Sequence, residues 1–202
     1  TDVVNLEAGE FDPTIDAGLK ACFDVPDEGL IGVNGLFEGN LPPVIQFNFD
    51  GQTQYDSTTD AFTVSATPII SVTGNPPTPT PFPATARLLI DIQVDENGDL
   101  VTGDAFDFKV FNDLDGDQIV DAGEEVFLQG EVVAFGSDGS GVGTDSYDVI
   151  VDVNGGTLAS DFDNLIGVAW DSEQSTFNDR FDEDFGGNAK GNIGNIGIDC
   201  IC

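Results

Sequence analysis

The stretch Leu88-Leu89-Ile90-Asp91-Ile92-Gln93-Val94 decides the fold class. Leu88, Ile90, Ile92 and Val94 fall on one side of an extended chain, and Asp91, Gln93 and the following Asp95 fall on the other. That period of two marks a strand with one wet face. Glu96-Asn97-Gly98-Asp99 ends it with turn chemistry, because Gly accepts positive φ and Asn and Asp bond their own backbone. The alternation recurs downstream. Phe106, Phe108 and Val110 enclose Asp107 and Lys109, Val126 to Phe135 reads as a further strand, and Tyr147, Val149, Val151 and Val153 oppose Asp148 and Asp152 before Asn154-Gly155-Gly156. Leu165 to Trp170 is the last clear strand. Upstream, Phe47 and Phe49 alternate with Asn48 and Asp50. Gly51 reads as a turn into Phe62, Val64 and Ala66, and Ile69 to Val72 extends the hairpin.

Short strands separated by turn signals, with no sustained period of 3.6, predict an all-β, mostly antiparallel chain of the β-sandwich or jelly-roll type. We expect one domain over residues 1–202, with long acidic and Pro/Gly-rich loops. Residues 1–12 read as an N-terminal arm. Asn75 to Pro83 holds five of the ten prolines and reads as a crossover loop, or equally as a linker between residues 1–74 and 84–202, since such a run cannot donate the ladder bonds of a central strand. Thr157 to Asp163 is the one stretch that tolerates a helical turn. Residues 188–202, with Ile193, Ile196 and Ile198 between glycines, read as an extended C-terminal tail.

The charge balance narrows the partners. Five Lys and Arg face 38 Asp and Glu, a net charge of −33, so the chain repels nucleic acids and anionic membranes. Acidity of this order often means disorder, but 40% apolar residues, 16 of them Phe, in strand-length runs supply the burial that a disordered chain lacks. Divalent cations, high ambient salt or both must offset the repulsion. No run of about 18 apolar residues exists, so no membrane insertion is expected. The absence of Met, even at position 1, is read as a chain that begins after a removed leader, which places it outside the cell or on its surface. Cysteine usage agrees with that compartment. Cys22, Cys200 and Cys202 allow one disulfide, which we expect to join Cys22 to one of the other two, because a Cys200–Cys202 bridge would enclose a single residue. The third thiol is left over.

One segment carries specific chemistry: Asp113-Leu114-Asp115-Gly116-Asp117-Gln118-Ile119-Val120-Asp121-Ala122-Gly123-Glu124. Ca²⁺ takes roughly six to eight hard oxygen ligands in a small volume. Asp113, Asp115 and Asp117, the carbonyl of Ile119, Asp121 and Glu124 stand at the loop positions that supply them, and Val120 stands where such loops bury an apolar anchor. Gln118 departs from the pattern, occupying the position where the sharp turn usually needs Gly. The loop resembles the calcium loops of secreted bacterial proteins of the dockerin or thrombospondin type 3 kind, and Phe111 to Glu125 is similar to loops of calcium-stapled β repeats in cell-surface adhesins. The resemblance implies calcium and an exported surface context; it spans a small part of the chain and implies no fold. Asp95, Asn97 and Asp99, the pair Asp161 and Asp163, and Asp179, Asp182 and Asp184 are weaker oxygen clusters, for which an acidic surface loop is the simpler reading.

Catalysis finds little footing. The chain has no His, which removes the triads and zinc sites that depend on imidazole and leaves a three-Cys metal site as a weak alternative to the disulfide, and Gly136 to Gly141 lacks the spacing of a nucleophile elbow. A carboxylate-pair glycosidase is a third reading, since such an enzyme needs only two well-placed acids, but 38 acids guarantee apparent pairs and strip that signal of specificity. Trp170 and Tyr147 are either core or a sugar-stacking platform. The first expectation is therefore a non-enzymatic extracellular structural protein that self-associates into a calcium-stabilised fibre, matrix or surface layer, with the apolar stretch Val3 to Leu6 adding to a neighbour's sheet edge. A calcium-dependent carbohydrate-binding or adhesin module is the second.

Overall fold

The computed structural model describes residues 42–101, 106–139 and 143–196. Within them the regular elements are strands and one short 3-10 turn, joined by turns and loops. In chain order the strands are β1 (Val44–Asp56), β2 (Ala61–Ala66), β3 (Pro68–Thr73), β4 (Thr78–Pro81), β5 (Ala86–Val94), β6 (Leu100–Val101), β7 (Phe108–Asn112), β8 (Val126–Asp138), β9 (Thr144–Gly155), β10 (Leu165–Glu173) and β11 (Phe185–Asn195). The turn η1 (Ala159–Asp161) lies within the segment where a helical turn was expected.

All the pairings are antiparallel, as the alternation predicts, but the sheet does not divide into the two layers of a sandwich. β1, β2, β5, β7, β8, β9, β10 and β11 follow one another as an up-and-down meander, and β11 pairs back onto β1 over Val44↔Gly194 to Tyr55↔Phe185. The result is a closed eight-stranded barrel. An even number of up-and-down strands brings the last beside the first in antiparallel sense, so closure satisfies both edges at once. Alternation alone fits either architecture; the pairing of β11 decides between them.

Three further expectations change with closure. Asn188 to Asn195 belong to β11 and complete the wall, where a free tail was expected. Gly51 is no turn: β1 runs through it to Asp56, and the register with β11 shifts between Phe47 and Gly51. A Cβ at Gly51 would come 2.7 Å from the Ala66 Cβ and 2.9 Å from the Ser65 carbonyl, so Gly is needed for close approach of strands. The Pro-rich run is partly ordered, because Thr78 to Pro81 form β4, fully exposed and paired only to β3, a position where proline's missing N–H faces water. Residues 1–12 and all three cysteines lie outside the described residues.

Inward residues fill the barrel. On β5 Leu88, Ile90, Ile92 and Val94 are 0–4% exposed, as the sequence predicts. An eight-stranded barrel leaves an interior about wide enough for its own side chains. Phe62 on β2 accordingly meets Phe135 on the opposite wall at 4.9 Å between ring centroids. One end is closed by the β10–β11 loop, whose Phe181 stacks edge-on against Tyr55 of β1 at 5.2 Å and against Phe135 of β8 at 6.0 Å, spanning the mouth. Trp170 and Tyr147 lie inside this cluster at 5.5 Å, both at most 1% exposed, with the indole N–H donating to Thr53 Oγ1 at 3.1 Å. They are core and offer no platform to a sugar. The β7–β8 loop, which holds the acidic motif, lies at the opposite end.

Candidate metal centre

β7 ends at Asn112, and the next residue is tied into the barrel rather than released from it. The Asn112 N–H donates to the Glu125 carbonyl at 2.8 Å, and the Asp113 N–H donates to the Thr85 carbonyl at 3.0 Å, so the mouth of the loop is pinned to β8 and to the start of β5. Asp113 is therefore 2% exposed, whereas Asp115 and Asp117 stand in solvent. One oxygen of each of these three carboxylates lies within 4.8 Å of the others, and no other cluster of three or more such groups occurs among the described residues.

Backbone N–H groups hold the carboxylates in place. Asp113 Oδ1 accepts from Gly116 N–H at 2.8 Å, Asp115 Oδ1 from Asp117 N–H at 3.3 Å, and Asp117 Oδ1 from Ile119 N–H at 2.8 Å. These bonds coil the loop around the acids, which requires left-handed backbone at particular points. Gly116 at φ 84° and Gly123 at φ 104° supply it without cost, and Gln118 adopts φ 64° at the position where Gly was missing from the motif. The departure in sequence is thus absorbed by local strain, not by a different turn.

The remaining ligand positions are near but differently engaged. Both oxygens of Glu124 are occupied by loop N–H groups, Oε1 from Leu114 at 2.6 Å and Oε2 from Asp121 at 2.9 Å, so Glu124 cinches the loop and must exchange these bonds to ligate an ion. Asp121 is exposed and outside the cluster of three, the side chain of Ile119 points to solvent at 61% exposure, and Val120 is half-buried.

The donor set suits a hard cation: it is all oxygen, and among the described residues neither imidazole nor thiolate stands near it. Asp113 provides the test of fit. Its Oδ2 is buried without a hydrogen bond, a state that costs a carboxylate several kcal/mol unless a cation compensates. The nearest opposite charge is Arg87 on β5, whose Nε stands 3.8 Å from Oδ2, beyond hydrogen-bonding distance; the guanidinium is a third exposed and donates instead to the Ala86 carbonyl at 2.8 Å. Spacing could not point to Arg87, because it lies twenty-six positions before Asp113 and only the β5–β7 pairing of Arg87 with Phe111 brings them together.

The weaker acidic clusters resolve into turns. Asp95 Oδ1 accepts from the N–H groups of Asp99 at 3.0 Å and Asn97 at 2.9 Å, and these bonds, the Asp99 one first, hold its carboxyl below the usual range. Asp184 accepts from the Ser57 hydroxyl and N–H, which lower its carboxyl likewise. Asp182 pairs with Arg180. Asp161 and Asp163 join no cluster.

No protein-family model matches the chain, and no curated protein or solved structure is significantly similar to it.

Proposed function

We propose that this chain is an extracellular structural protein, a barrel whose acidic loop binds Ca²⁺ and which self-associates into a fibre, matrix or surface layer. The observation that carries the reading is the convergence of Asp113, Asp115 and Asp117 around a buried oxygen that lacks a hydrogen bond. Two features support a role in assembly. The chain carries −33 charge, so association between copies needs cations to offset repulsion. Leu114 and Ile119, 60% and 61% exposed, flank the acids and give the metal loop an apolar tip.

Assembly through the loop fits the fold better than strand addition does. The ladders from β10 through β11 and β1 to β2 are paired on both sides, and the edge strand β4 carries Pro79 and Pro81. Trp170 and Tyr147 are core, so neither offers a stacking platform, and a calcium-dependent glycan reading would rest on the acidic loop alone. Sedimentation in millimolar Ca²⁺ and again after chelation, at fixed ionic strength, tests the proposal. We expect large assemblies that dissolve on chelation; a monomer under both conditions refutes the structural role.

A further inference from the structure

On the wall opposite the metal loop's β5 and β7 anchor, β1, β11 and β10 present a concavity of about 440 Å³ to solvent. Its position follows from the register. Gln46 pairs with Asn192, and Asn192 pairs with Ala169, so the three stand in a row across adjacent strands; Lys190 and Asp171 pair in the row beside it. Ile45, Phe47 and Ile193 point into the core at 0–2% exposure, which turns Gln46 and Asn192 to the outside. Asn48 joins them from the register shift in β1, and Ile69 of β3, 47% exposed, forms an apolar wall.

We propose that this concavity is a binding site for a neutral saccharide, independent of the metal. Three observations select that class of ligand. First, Gln46, Asn48 and Asn192 each carry a side-chain amide that makes no hydrogen bond among the described residues, although Gln46 and Asn192 are half-buried. Each amide offers a donor and an acceptor side by side, the complement of adjacent sugar hydroxyls, and cross-strand neighbours place such groups about 5 Å apart. Asp171, whose Oδ1 accepts from the Ser146 hydroxyl at 2.8 Å, adds its second oxygen as an acceptor. Second, Gln46, Ala169, Gly191 and Asn192 are each paired to strands on both sides, and the ladders are interrupted only at the β1 register shift around Asn48, too short a stretch for an extended peptide to pair with. Third, one carboxylate and one ammonium face each other across the register while the chain as a whole carries −33, which disfavours anions and gives cations no local excess of charge. Ile69 supplies apolar contact for the C–H face of a sugar ring, and the volume lies within the roughly 300–1,000 Å³ of small-molecule sites.

The test uses the full chain on an array of neutral hexose and N-acetylhexosamine oligosaccharides, with sulfated and uronic-acid glycans beside them, in Ca²⁺ and in chelator. We expect binding to at least one neutral saccharide, equal in both buffers, and about tenfold weaker in Asn192→Ala and in Gln46→Ala. Asn192→Asp keeps the shape, alters the donor pattern, and should weaken binding equally while the thermal midpoint stays within a few degrees. Absence of binding to every neutral glycan, binding confined to charged glycans, or binding that survives the Gln46→Ala/Asn192→Ala double variant overturns the proposal. Binding that vanishes in chelator assigns recognition to the metal loop and overturns it too.

Discussion

Arg87→Gln isolates what the arginine beside Asp113 does to the metal loop. A cation bound to Asp113 Oδ2 would sit about 2.4 Å from that oxygen, which itself is 3.8 Å from Arg87 Nε, so the two positive centres lie about 6 Å apart. At the dielectric of water a +2 and a +1 charge at about 6 Å repel by roughly 1.4 kcal/mol, and at a lower effective dielectric by more. Water sets the conservative figure here, because the arginine side chain is a third exposed. Removing the guanidinium should therefore tighten Ca²⁺ at least about tenfold. It should also lower the stability of the metal-free protein, by about 1–2 kcal/mol, because Asp113 loses the only cation near it among the described residues. Calorimetric titration of Ca²⁺ gives the first quantity, and thermal melting in chelator gives the second. The opposite signs are the diagnostic: a merely structural arginine would weaken both. Unchanged or weaker affinity in Arg87→Gln, with a wild-type chain that binds, refutes the competition; no binding by the wild type refutes the metal site itself.

Gly191→Ala should break the closure of the barrel. A Cβ there would overlap the Ala169 carbonyl and come 2.7 Å from the Trp170 Cβ, so a loss of about 3 kcal/mol, roughly 10 °C in thermal midpoint, is expected, and a midpoint within 2–3 °C of wild type would contradict the tight β10–β11 packing. Gln118→Gly relieves the left-handed strain at φ 64° and should stabilise the loop by about 1 kcal/mol, read as a raised midpoint in chelator; a lowered midpoint would mean that the side chain contributes more than its backbone costs. Both tyrosines of the chain are buried. The Tyr55 phenol is pushed up to about 12, first by burial and then by the Asp60 carboxylate, and burial raises Tyr147 as well. Unfolded tyrosines lose their proton near 10, so the folded form holds protons that the unfolded form has released. Stability present below pH 10 should fall between about pH 10 and 12, checked by melting across that window, where a flat midpoint would refute it.

Local alternation was enough to read most of the strands. Leu88 to Val94, Val126 to Phe135 and Tyr147 to Val153 announce themselves because each buries one face against the barrel interior. β11 hid, because Gly186, Gly187, Gly191 and Gly194 replace the β-branched residues that usually mark a strand. Its glycines answer to its neighbours: a strand that lies over Trp170 at Gly191 has no room for a side chain there, a requirement that resides in β10 and not in β11 itself.

The same contrast separates the two sites. All the acids of the metal loop lie within twelve consecutive residues, so carboxylate spacing made it legible before any contact was known, and what the sequence withheld was Arg87, supplied from another strand. The saccharide groove has no local signature at all. Gln46 and Asn48, Ile69, Ala169 and Asp171, and Asn192 come from four separate stretches, and each alone reads as an ordinary outward residue of a strand. They become neighbours only when β11 inserts between β10 and β1. A substitution that opens that seam should therefore abolish saccharide binding while leaving Asp113 anchored through Thr85 on the opposite wall, and the retained Ca²⁺ affinity of such a variant would show that the two sites are built by different parts of the barrel.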